Sequence, residues 1–427
     1  MATHEIPRTI ETVWRIEQAK VIATVARMVG DVGLAEELAG DALVAALETW
    51  PRDGVPEKPG AWLTSVAKRR ALDRIRRASM AQRKHEEIGR DLDAVQDLAT
   101  DQLEAALDDD VGDDLLRLVF TACHPVLSVE AQTALTLRLL GGLSTDEIAR
   151  AFLVQEATVA QRIVRAKRTL AEAKVPFEVP RGSELGARLS SVLGVIYLIF
   201  NEGYSATAGD DWMRPALCEE AMRLGRILAG LAPQEPEVHG LVALMEIQAS
   251  RARARVDETG EPILLLDQNR GRWDQLLIRR GLAGLAQVEA LGGASGPYAL
   301  QAAIAACHAR AARAEDTDWT RIADLYEELA RQTGSPVVEL NRAVALSMAY
   351  GPAVGLELTD ALKDDPALKT YHLLPSVRGD LLFKLGRLAE ARLEFERAAS
   401  LTRNAREQAV MTRRAAECDQ GLGAKAG

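Results

Sequence analysis

A chain of 427 residues has material for two or three domains with sizeable cores. Its formal net charge of -10 excludes a protein that is basic over its whole surface, so any contact with nucleic acid must come from local patches. Aromatic residues are only 4% and Ala, Leu, Arg and Glu dominate, which favours helix over sheet and predicts an all-α fold. The four cysteines, Cys123, Cys218, Cys307 and Cys418, form no CxxC pair and read as reduced thiols of a cytoplasmic protein. The Cys123-His124 and Cys307-His308 pairs lack the spacing of a tetrahedral site, so neither metal nor cofactor is expected. MATHEIPRTIETVW has no apolar stretch behind a basic start, and the apolar run Val192 to Phe200 is too short to span a bilayer; no membrane partner is expected.

Residues 11 to 50 read as two helices. Val13, Ile16, Ala19, Ile22, Ala23 and Ala26 mark the first, with a break near Gly30-Asp31. The second sets apolar Leu34, Leu38, Ala42, Ala45 and Ala46 against acidic Glu36, Glu37 and Asp41. Pro51 to Gly60 reads as a loop that cannot continue the helix. A third helix, AWLTSVAKRRALDRIRR, carries an apolar stripe of Trp62, Val66, Leu72 and Ile75. Lys68, Arg69, Arg70, Arg74, Arg76 and Arg77 make it strongly basic, either a solvated face or a nucleic-acid footprint. From Glu86 to Asp114 the chain is acidic with a weak apolar period, the composition of a solvated linker. Helices over Leu115 to Leu140 follow, with Leu116, Val119, Phe120, Leu135 and Leu139 apolar.

The stretch STDEIARAFLVQEATVAQRIVRAKRTL, Ser144 to Leu170, reads as two short helices. Ser144 is the expected N-cap, with Asp146 and Glu147 in the first turn, and Ile148, Ala149 and Phe152 form the buried face. The second helix keeps Val159, Ile163, Ala166 and Leu170 on one side and turns Gln161, Arg162, Arg165, Lys167 and Arg168 outward. The pattern fits a helix-turn-helix, whose second helix enters the major groove, or an ordinary amphipathic pair with a basic solvated face.

Beyond the VPFEVP break the chain is helical again, with predicted helices over 185–200, 214–230, 237–256, 274–291 and 298–313. GDLLFKLGRLAEARLEFERAASL places Gly379, Leu382, Ala391, Phe395 and Ala398 at tetratricopeptide-repeat spacing, with a degenerate copy upstream in VVELNRAVALSMAYGPAVGLELTDAL. Stacked helix pairs of this kind offer a concave surface for a protein partner. NEGYSATAGDDW and LLLDQNRGRWD interrupt the helical pattern. Both read as inter-helix loops, or as a candidate regulatory pocket built from Glu202, Tyr204, Asp210, Asp267, Arg270 and Trp273.

Taken in order, AEELAGDAL, a loop, AWLTSVAKRRALDRIRR, a spacer and the helix pair resemble the extracytoplasmic-function sigma factors of bacterial RNA polymerase over roughly residues 10 to 175. With HPVLS, YLIFNEGYSA, DTDW and VVELNRAVA the resemblance extends to the subgroup bearing a C-terminal tetratricopeptide-like extension, and covers nearly the whole chain. It implies region 2 at 10–80, an acidic linker at 81–112, region 4 at 113–175 and a regulatory extension at 181–427. It further implies that Glu36, Glu37, Leu38 and Asp41 bind core polymerase, and that Trp62, Lys68, Arg69, Arg74, Arg76 and Arg77 hold the minus-ten element beside a base-capturing loop at 51–60. Thr158, Ala160, Gln161, Arg162, Val164, Arg165, Lys167 and Arg168 would read the minus-35 element, Gln161 suiting adenine and Val164 a thymine methyl. Two positions depart from the family pattern: Gly40 stands where Gln precedes the second acid, and Leu153 where the turn has Gly. The expected activity is promoter selection without covalent chemistry; a helix-turn-helix regulator that never engages polymerase is the alternative, and no acid/base or metal set points to an enzyme.

Overall fold

The computed structural model describes residues 5–85, 111–152, 154–181, 183–205, 213–258, 263–402 and 404–426. Among them the elements are helices, with no strand. The chain divides into two compact units, 1–198 and 199–427. The division falls inside a helix, and so lies beyond the boundary at 181 that the VPFEVP break suggested.

In the first unit α1 (Glu5–Val29), α2 (Val32–Asp53) and α3 (Pro59–His85) pack on one another. Asp31 caps α2, accepting a hydrogen bond from the Leu34 amide at 2.9 Å. Contrary to the expected stop at Pro51, α2 runs through it to Asp53 and ends at Gly54, whose φ of +87° suits a residue without Cβ. The loop to α3 is correspondingly shorter than 51–60. The core side of α3 is Leu63, Ala67 and Ala71, one position off the expected stripe; Ile75 is exposed and Trp62 is half-buried against Trp50, ring centroids 5.4 Å apart. The alanines let α3 approach α1 and α2 closely, so the larger side chains next to them were not the buried ones. Likewise Ile16 of α1 faces outward.

The same unit continues with α4 (Val111–Ala122), α5 (Val129–Leu139), α6 (Thr145–Phe152) and α7 (Glu156–Glu172). Ser128 caps α5. Ser144 and Glu147 form a reciprocal capping box on α6: the Glu147 amide donates to Ser144 Oγ at 3.1 Å, and the Ser144 amide donates to Glu147 Oε2 at 2.8 Å. The start of α8 (Ser183–Tyr204) belongs here too, with Arg188 donating to the Phe120 carbonyl at 2.8 Å and Ser191 to the Cys123 carbonyl at 3.3 Å. By length and composition Glu184–Tyr204 could cross a membrane, yet Val192, Leu193, Val195, Ile196, Ile199 and Phe200 are buried within the protein.

In the second unit the end of α8 is followed by α9 (Pro215–Leu231), α10 (Pro236–Ala249), α11 (Gln275–Ala290), α12 (Pro297–Arg310), α13 (Trp319–Thr333), α14 (Pro336–Tyr350), α15 (Pro352–Ala361), α16 (Leu373–Lys384), α17 (Leu388–Leu401) and α18 (Ala405–Ala426). Each helix from α9 onward packs on the next. In the repeat-like stretch Gly379 of α16 meets the Phe395 ring of α17 so closely that any side chain there would clash. Leu382, Leu388, Ala391, Phe395 and Cys418 form one core cluster around that contact.

Candidate nucleic-acid interface

In α2 the four residues expected to meet a protein partner separate into three environments. Leu38 is only 7% exposed and packs into the core beside Ala35, Ala39 and Ala42, so it supports the helix and cannot itself touch a partner. Glu37 is exposed and Asp41 half-exposed, the latter paired with Arg70 of α3 at 2.9 Å. One turn and two turns further, Val44 and Glu48 share that face, with Leu47 beside it. Val44 and Leu47 are half-exposed apolar side chains that were not singled out from the sequence; their position among acids at helical spacing is the signal that marks them.

Glu36 points elsewhere. Its carboxylate lies between Arg138 of α5 (Nε to Oε1 2.8 Å) and Lys167 of α7, which pairs with Oε2. Arg138 is steadied by donating to the Leu143 carbonyl at 3.2 Å. Only 15% of the Glu36 side chain is exposed. Burial alone would raise its pKa, but Lys167 and then Arg138 outweigh that and hold it below the ordinary carboxylate value. The Lys167 stem lies along Gly33. Around this triad, Arg15 meets Glu147 at 3.3 Å, and Arg27 of α1 meets Asp114 of α4 at 3.1 Å, with Arg117 on the other carboxylate oxygen at 2.6 Å. Gly142, at φ +73°, packs on Gln18.

On α3, Trp62, Arg69 and Arg76 stand seven residues apart and so share one face, opposite the Leu63, Ala67, Ala71 side. Arg69, Arg74, Arg76 and Arg77 are exposed and Lys68 is half-buried. Arg70 is drawn away to Asp41.

In α7 the four residues expected inside, Val159, Ile163, Ala166 and Leu170, are all buried. Thr158, Gln161, Val164, Arg165 and Arg168 are exposed, and Ala160, Arg162 and Lys167 lie along the edges. A cleft of about 380 Å³ runs beside the helix, walled by Val126 to Ser128 on one side and by Thr158, Gln161, Arg162 and Arg165 on the other. Arg168 is engaged by Glu172 at 2.6 Å. The turn residue Leu153 lies outside the described residues, as do Asp210, Trp212 and most of the expected linker.

The C-terminal strings also sort themselves. Glu202 pairs with Arg214, and Asp267 sits exposed in a short 3-10 turn. Tyr204, Arg270 and Trp273 come together, but with Arg251 and Arg255, two residues the sequence reading passed over. Arg255 lies 3.6 Å from the Tyr204 ring centre, Arg251 donates to the Tyr204 hydroxyl at 2.7 Å, and Arg270 lies 4.8 Å from the Trp273 ring centre. Arg255 also bonds the Tyr204 carbonyl at the end of α8, and Arg270 the carbonyls of His308 and Ala311 at the end of α12. These arginines cap helix C-termini, where both the free carbonyls and the helix dipole favour a cation. Trp273 is buried with Ala254 and Ile278. Three of the expected pocket residues therefore form a structural hub.

Burial pushes the Cys123 thiol up to about 11 and that of Cys218 to about 12, which disfavours thiolate chemistry. His124 accepts from the Val126 amide through Nδ1 at 3.2 Å and serves as a turn cap. Among the described residues no group of three ligand-type side chains gathers.

Residues 14–80 match the family described as Sigma-70 region 2, residues 117–170 that described as Sigma-70, region 4, and residues 188–289 a family of unknown function (DUF6596). An uncharacterized protein of Rhizobium meliloti (strain 1021) is 45% identical over 89% of this chain and 89% of its own length. A probable ECF RNA polymerase sigma factor, SigI of Mycobacterium tuberculosis, is 28% identical over 40% of this chain and 57% of its own. The ECF RNA polymerase sigma factor SigK of Mycobacterium ulcerans is 28% identical over 35% of this chain and 78% of its own. No solved structure matches the chain significantly.

Proposed function

The chain belongs to the extracytoplasmic-function sigma factors that carry a helical C-terminal extension, and we propose that it directs core RNA polymerase to specific promoters in the cytoplasm while the extension modulates that activity. In this reading α2 meets polymerase through Glu37, Asp41, Val44, Leu47 and Glu48, an acidic face with apolar side chains set into it. The exposed arginines of α3, with Trp62, hold the melted minus-ten strand, where a cationic groove and a stacking ring offset the cost of extruding a base. Helix α7 reads the minus-35 duplex through Thr158, Gln161 and Val164, with Arg162 and Arg165 on phosphate.

The observation that carries this reading is α7 itself: its four apolar positions are all buried while its polar and basic residues line an open cleft. The test is initiation by purified core polymerase with the full chain, on a promoter taken from upstream of its own gene. Specific start sites that disappear with Glu37→Arg/Asp41→Arg support the sigma reading. DNA binding with no polymerase association moves the assignment to a helix-turn-helix regulator whose extension recruits a protein. For the extension, the succession of packed helices offers a surface for a protein partner. Deleting it should change promoter output in one direction or the other, and unaltered output would remove the modulating role.

A further inference from the structure

The hub at the ends of α8, α10 and α12 satisfies carbonyls but leaves its charge open. Arg251 follows α10 and is half-buried, its guanidinium 5.8 Å from the centre of the Tyr204 ring and 5.9 Å from that of Trp273. It gives one donor to the Tyr204 hydroxyl at 2.7 Å, out of the whole fork that a guanidinium carries. Arg270 serves the carbonyls of His308 and Ala311 and, at 3.1 Å, the hydroxyl of Thr317, while its Nε has no partner. Among the described residues neither arginine forms an ion pair with a carboxylate. The acids that act on Arg270, Asp316 and Glu315, are exposed and held by Arg313 at 3.0 and 3.3 Å.

Two further nitrogens beside these arginines lack an acceptor. Trp273 Nε1 and His308 Nδ1 have no hydrogen-bond partner among the described residues, in residues only 4% and 8% exposed. An indole N–H can only donate, and His308 Nδ1 donates in one of its neutral tautomers. Arg251 also crowds the cations around it. Burial first, and then Arg251, hold His308 and Arg270 below their ordinary pKa. Arg255, 3.6 Å from the Tyr204 ring centre, is acted on by the same charge. Like charges gathered without an ion-paired acid, next to buried donors without an acceptor, suit one group that is both an anion and a multiple acceptor.

We propose that Arg251, Arg270, Trp273 and His308 form a binding site for the oxyanion head of a small molecule, a phosphate or a carboxylate. Guanidinium groups match the oxygens of either one in bidentate fashion. The depth of the indole and imidazole nitrogens favours a slender head group over an acidic protein surface. Arg270 and Trp273 keep their structural roles, because the ligand takes only atoms that those roles leave unused, Arg270 Nε and Trp273 Nε1. The site lies wholly within residues 199–427 and does not depend on the sigma-factor reading. It would give the extension a chemical input of its own.

The test is a titration of the full-length chain with inorganic phosphate and, separately, with succinate, each against sodium chloride at matched ionic strength. We expect a saturable rise in melting temperature, and one oxyanion bound per chain in equilibrium dialysis, for at least one of the two probes. Arg251→Gln keeps a donor for the Tyr204 hydroxyl but removes the charge, and should lower the affinity about tenfold or more. Trp273→Phe still fills the core but lacks the N–H, and should lower it severalfold; it decides the matter if Arg251→Gln does not fold. Binding of phosphate alone assigns a phosphorylated ligand, binding of succinate alone a carboxylate, and binding of both a site that accepts either head; each supports the proposal. No saturable binding of either probe by the wild type, a rise that chloride reproduces, or an affinity that Arg251→Gln leaves unchanged overturns it.

Discussion

Arg270 and Trp273 show how one pair of residues serves two readings. Their clustering with Tyr204 suggested a ligand pocket, but the guanidinium of Arg270 closes the end of α12 and the indole of Trp273 fills a core. Trp273→Ala should therefore lower stability by about 3–5 kcal/mol, measured by urea unfolding, and a neutral result would reopen the pocket. His308, in the same hub, packs edge-on to Trp319 with ring centroids 5.1 Å apart. Burial, then Arg251 and Arg270, lower its pKa to about 4 from 6.5. The unfolded chain takes up this proton as pH drops below 6.5 while the folded chain does not, so the stabilisation is complete above 6.5 and is lost as pH falls toward 4. At most ~3 kcal/mol is at stake. Melting temperatures of wild type and His308→Gln recorded across that interval should converge as pH falls; parallel curves would show that His308 is not held neutral.

For single helices, spacing was a good guide where one face meets a core made of large side chains. The buried positions of α7 and the capping box of α6 follow from local pattern alone, since both depend on neighbours within a turn or two. Helix α3 was harder to read, because alanines supply its closest contacts and carry a weaker apolar signal than the valine and isoleucine beside them. The Glu36 triad was beyond reach: Arg138 lies 102 residues away in sequence, and periodicity carries no information about such partners. Two element-level outcomes can be measured. Arg165→Ala should weaken minus-35 duplex binding and reduce the slope of log affinity against log salt by about one; an unchanged slope would remove Arg165 from the phosphate contacts. On α2, Val44→Asp should weaken core binding about tenfold or more while altering folding stability by less than about 0.5 kcal/mol, because the side chain is half-exposed in the free chain. Unchanged core affinity in a pull-down titration would move the polymerase face away from this stripe.

At the scale of the whole molecule, the region-4 module does not end where its sequence pattern ends. Arg188 and Ser191 of α8 satisfy the carbonyls of Phe120 and Cys123 at the end of α4. A fragment ending at 180 loses both, whereas one ending at 198 keeps them. The shorter fragment should melt several degrees lower, with each lost hydrogen bond costing about 1 kcal/mol; equal melting points would show that the start of α8 contributes nothing to this unit. This matters for truncation experiments, where a loss of activity in 1–180 would otherwise be assigned to the missing extension.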